Sequence, residues 1–139
     1  KDHVQALNYL AYTYAELGKN LEEATSLASR ALELQPNDGY ILDTIGWVHF
    51  KKGDIEAAIK YLEAAHKAKS DEAIIAEHLG DAYLRHQMWQ KAQKLYQRAA
   101  TLELDRDHNK KIMEKLANIQ TQSQMPSRVP ASLKAPRAQ

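Results

Sequence analysis

The sequence predicts an all-α protein built from repeated helical hairpins, and three observations predict it. Glycine and proline number five and four among 139 residues, and three of the prolines fall between Pro126 and Pro136. Helix breakers are therefore sparse through the first 120 positions. Apolar residues recur at helical spacing rather than in alternation. The chain also repeats itself: Ala24, Ala58 and Ala92 stand 34 residues apart, as do Ala31, Ala65 and Ala99.

Further columns share this register. Leu21, Ile55 and Trp89 align, as do Leu27, Tyr61 and Leu95. Upstream, Leu10, Ile45 and Leu79 align, followed by Ala11, Gly46 and Gly80, then Tyr14, His49 and Tyr83. The first upstream interval is 35, because the turn Gly18-Lys19-Asn20-Leu21 is one residue longer than Gly53-Asp54-Ile55.

Each unit reads as two helices. In the second, Ile41, Leu42, Ile45, Val48 and His49 form one helical stripe, which Gly53-Asp54 ends. Ile55, Ala58, Ile59, Leu62 and Ala65 form the next. Small residues at Ala11, Gly46, Gly80 and the alanine columns let paired helices approach, and large neighbours fill the remaining space. This reading makes His49 and Trp89 packing residues. Asp105 and Asp107 can cap a seventh helix. Its apolar face is Ile112, Leu116 and Ile119, with Met113 beside it and Lys110, Lys111, Glu114 and Lys115 covering the rest. Such a helix suits the polar closing role at the end of a repeat stack.

With these residues in place, the chain resembles the tetratricopeptide-repeat family over about residues 4 to 104. The third unit carries Ala76, Leu79-Gly80, Tyr83, Ala92 and Tyr96. The second carries Leu42, Ile45-Gly46, His49, Ala58 and Leu62; the first carries Leu7, Leu10-Ala11, Tyr14, Ala24, Ala28 and Pro36. The resemblance implies a right-handed α-solenoid of three hairpins (units about 4–37, 38–72 and 73–105), a capping helix about 106–120 and an extended tail from 121 to 139. Asn8-Tyr-Leu-Ala-Tyr12 and Ile41-Leu-Asp-Thr-Ile-Gly-Trp47 are similar to the final repeats of long bacterial repeat proteins, several of them envelope lipoproteins. That likeness implies a bacterial source and leaves cytoplasm and periplasm or cell envelope both open.

The family implies a concave groove lined by the first helix of each unit, and thus a protein or peptide partner. Transferred by register, its lining is Gln5, Asn8, Tyr9 and Tyr12; then Tyr40, Asp43, Thr44, Trp47 and Lys51; then Glu77, His78, Asp81 and Arg85. Aromatic rings there are efficient contact area, and Asp43, Glu77 and Asp81 predict a negative strip. Such a strip would repel the peptide carboxylate that some co-chaperones of this family clamp.

Charge is unevenly spread. Residues 121–139 carry Arg128, Lys134 and Arg137 with no acid, so a total of +1 leaves −2 for the other 120 residues. With Val129, Pro130 and Leu133 among those cations, the tail has the composition of a ligand for an acidic, aromatic groove. The expectation is that it docks in its own groove or a neighbour's, giving a homo-oligomer. The same sequence also fits a structural fragment of a longer adaptor with no ligand site of its own.

Other classes lose support. Zero cysteines excludes disulfides and thiolate zinc sites, and the six histidines show no metal-binding spacing. No cofactor, metal or catalytic residue is expected. No apolar run reaches the roughly 20 residues of a membrane span. Nucleic-acid binding by stacked helices would need a basic groove, so no nucleic-acid partner is expected.

Overall fold

The computed structural model describes residues 3–123. Seven helices follow one another: α1 (Val4–Leu17), α2 (Leu21–Leu34), α3 (Gly39–Lys52), α4 (Ile55–Ala68), α5 (Ala73–Arg85), α6 (Trp89–Leu102) and α7 (Arg106–Ser123). Each packs on its chain neighbours, while α1 also meets α3, and α3 meets α5. The result is an all-α solenoid of three hairpins closed by α7. Helix α7 continues through Ser123, three residues past the expected boundary. The tail residues Arg128, Val129, Pro130, Leu133, Lys134 and Arg137 lie outside the described residues.

Local chemistry explains the helix limits. Gly18 and Gly53 end α1 and α3 in the left-handed region, with φ of 68° and 89°. The equivalent turn after α5 puts Gln87 there, with φ 62°. Asp38 caps α3 by accepting from the backbone N–H groups of Tyr40 and Ile41 at 2.9 and 3.3 Å. As the sequence predicted, Asp105 caps α7, accepting from the N–H of His108 at 2.8 Å.

The small-residue columns are buried at the helix crossings. Ala24, Ala58 and Ala92 are fully covered, as are Ala31, Ala65 and Ala99. A Cβ on Gly46 would stand 2.8 Å from Leu62 Cγ and 3.2 Å from its backbone nitrogen; one on Gly80 would stand 2.8 Å from Tyr96 Cε1. Those two positions therefore set how closely α3 meets α4 and α5 meets α6. Tyr83, Tyr96, Ile112, Leu116 and Ile119 share one core with Leu62 and Leu79, joining α7 to the third repeat.

Candidate functional site

The first helices of the repeats bring seven of the expected groove residues around one depression of about 340 Å³. Gln5, Asn8, Tyr9 and Tyr12 come from α1, and Tyr40, Asp43 and Thr44 from α3. Ile74, at the start of α5, completes the wall; it follows Tyr40 by 34 residues, so the repeat register itself pointed to it. Tyr9 is 73% exposed and Tyr40 43%. Tyr40 is oriented by donating its hydroxyl to Glu72 Oε2 at 2.6 Å, and Lys69 Nζ stands 5.0 Å from its ring centroid. The bond to Glu72 raises the Tyr40 phenol pKa. Asn8 Oδ1 is shut off from solvent and accepts no hydrogen bond.

The middle of the face is packed shut. Trp47, an expected groove contact, is only 7% exposed; it stacks on His78 at 3.8 Å and on Phe50 at 4.6 Å. Its indole N–H donates to Glu16 Oε2 at 2.6 Å, tying α3 to α1. His78 is 3% exposed, and its Nδ1 lies 2.9 Å from Asp43 Oδ1. Burial disfavours an imidazolium there, but Asp43, with Asp81 and Glu77 behind it, outweighs that cost and raises the His78 pKa. Thr44 is buried as well, its hydroxyl donating to the Tyr40 carbonyl at 3.1 Å. Burial pushes the Tyr12 phenol pKa up, with the Glu16 and Asp43 carboxylates adding to it.

Each carboxylate of the expected negative strip has a partner within the fold. Asp43 is paired with His78, as above. Glu77 Oε1 lies 2.6 Å from His108 Nε2, and Glu77 Oε2 lies 2.6 Å from Lys115 Nζ. Lys115 also reaches Asp81 Oδ1 at 3.0 Å, and the Tyr96 hydroxyl donates to Asp81. Burial works against the Glu77 charge, yet the bonds from Lys115 and His108 prevail and lower its pKa. The Lys115 ammonium is likewise opposed by burial and held by Asp81 and Glu77, with its pKa raised. Lys115 is thus half-buried against α5 rather than part of an outer charged face. It follows Asp81 by 34 residues, as His108 follows Ile74, so the register extended into α7 would have placed both.

The remaining expected residues sit at the other end of the first helices. Lys51 Nζ lies 5.5 Å from the Trp47 ring centroid and Arg85 Cζ 5.2 Å from that of Phe50. His49 is half-buried, stacked on Tyr61 at 5.5 Å with Asp54 at 3.6 Å, and burial lowers its pKa. Trp89 packs on the core, as its column predicted. Among the described residues no helix is long and apolar enough to cross a membrane.

Residues 44–108 match the family model described as tetratricopeptide repeat. A TPR repeat-containing protein of Pseudomonas aeruginosa is 38% identical over 80 residues, which is 58% of this chain. The chain therefore carries tetratricopeptide repeats. It spans only 13% of that relative's length. Among solved structures sharing the repeat fold is the Yersinia enterocolitica type III secretion chaperone SycD in complex with a peptide of the translocator YopD. It has TM-score 0.76 and 16% identity, with 88% of this chain and 96% of that one covered. The first TPR of Spaghetti (RPAP3), bound to an HSP90 peptide, gives TM-score 0.77 and 16% identity over 88% and 94%. At these identities the likeness concerns the fold.

Proposed function

We propose that this tetratricopeptide-repeat chain is a protein-interaction module that takes an extended peptide across α1, α3 and the start of α5. The carrying observation is the depression beneath Tyr9, Tyr12 and Tyr40. It offers exposed aromatic area, with Tyr9 and Tyr40 both open to solvent at its rim. Peptide-bound neighbours of the same fold support the reading. No catalytic role enters it. Because Asp43, Glu77 and Asp81 are already paired, docking of the basic tail in this groove loses its electrostatic ground.

The test is selection from a displayed random-peptide library, followed by affinity measurement on variants. Tyr40→Ala and Tyr9→Ala are expected to weaken a selected peptide at least tenfold while helicity is kept. Unchanged affinity in both contradicts the site. Trp47 is unsuitable for this test, because its loss acts on the core.

A second reading has its own observation. Ile45 and Leu79 are buried, at 3% and 2%, whereas Leu10 of the same column is 38% exposed. That exposed edge of α1 fits a seat for a preceding repeat in a longer protein. Leu10→Asp separates the two readings: it abolishes binding of an upstream repeat and leaves the selected peptide bound.

A further inference from the structure

At the opposite end of the same helices lies a second depression, of about 370 Å³, lined by Phe50, Leu84, Arg85, Gln87 and Trp89, with Asp81 at its side. Its walls are apolar and aromatic, but its free charge is of one sign. Arg85 rests on the Phe50 ring and Lys51, the next residue along α3, rests on Trp47. Among the described residues neither meets a carboxylate at ion-pairing distance. The one acid in the wall, Asp81, is already engaged by Lys115 and the Tyr96 hydroxyl. Gln87 adds an exposed amide where the equivalent turns of the first two repeats have Gly18 and Gly53 and no side chain.

We propose that this depression is a second docking site, for a protein segment in which acidic residues flank an apolar or aromatic one. The apolar side chain enters between Phe50, Leu84 and Trp89. The flanking carboxylate pairs with Arg85, which stays stacked on Phe50 and keeps its forked N–H donors available. Lys51 takes a second carboxylate, and the Gln87 amide can bond the segment's backbone. Charge complementarity decides the occupant: a cationic segment, the chain's own 124–139 included, would meet two unpaired cations. The site stands independently of the aromatic depression at the other end.

The probe is the hexapeptide Gly-Glu-Phe-Leu-Glu-Gly, acetylated and amidated so that its ends are neutral, against Gly-Lys-Phe-Leu-Lys-Gly. Titration of nitrogen-15-labelled protein should move the Trp89 indole N–H and the amides of residues 84–89, with the acidic peptide bound at least tenfold more tightly. Arg85→Glu, at an exposed position and checked for unchanged helicity, should reverse that preference. Tyr40→Ala should leave it intact, which separates this site from the other. No response at millimolar peptide, equal binding of the two peptides, or a preference untouched by Arg85→Glu would overturn the proposal.

Discussion

The first and third repeats place equivalent positions in opposite surroundings. Tyr9 and His78 occupy one column, yet Tyr9 is 73% exposed and His78 3%. Leu10 and Leu79 form another such pair. The cause is what each column leans on. His78 lies against Trp47 and Asp43 of the preceding first helix, whereas no described helix precedes α1. On the other side, α7 covers the third repeat and brings His108 and Lys115 to Glu77 and Asp81. A groove position is therefore surface or core according to its neighbours in the stack, not according to its place in the repeat.

The contrast can be broken most forcefully at its buried end. Asp43→Ala leaves the His78 ring without its partner, and is expected to cost roughly 3–5 kcal/mol in urea unfolding. Trp47→Ala, which opens a cavity beside His78 and Phe50, belongs to a similar range of about 3–5 kcal/mol. Tyr9→Ala, by contrast, should stay within about 0.5 kcal/mol. Comparable costs at Trp47 and Tyr9 would remove the distinction between the two regions.

Next in size is the helix approach. Gly80→Ala and Gly46→Ala should each destabilise by about 1–3 kcal/mol through overpacking, the added methyl meeting Tyr96 in one case and Leu62 in the other. Gln87→Gly acts in the opposite sense. Relief of the left-handed conformation should stabilise by about 1 kcal/mol, read as a higher urea midpoint.

The smallest expected effect is a pH dependence. The folded-state pKa of His78 is raised above its unfolded value. Its stabilisation is therefore fully present below the unfolded pKa, roughly 6.5, and is lost as pH rises through the folded one. The stability difference between the native chain and His78→Gln should shrink across that rise. Taking the difference cancels His49 and His66, whose pKa values burial lowers and whose contributions run the other way. A difference that is flat or grows with pH contradicts a His78 charge held by Asp43, Asp81 and Glu77.

Much of the fold was legible because close packing forces residue size to repeat: the alanine columns, Gly46 and Gly80 sit where helices touch. The groove was legible in register but not in exposure. Asp43 and Glu77 read as free charges because their partners, His78 and Lys115, lie 35 and 38 residues away. Lys115 reads as a solvated lysine as long as α7 is a polar cap and not a continuation of the register. Packing in the stack, which no single repeat encodes, decided both.

The most direct test maps a library-selected peptide onto the native chain by chemical-shift perturbation. The account predicts shifts centred on residues 5–12, on residues 40–44 and on Ile74, with the α7 amides unmoved. Shifts centred on α7, or on the outer faces of α2, α4 and α6, would contradict it.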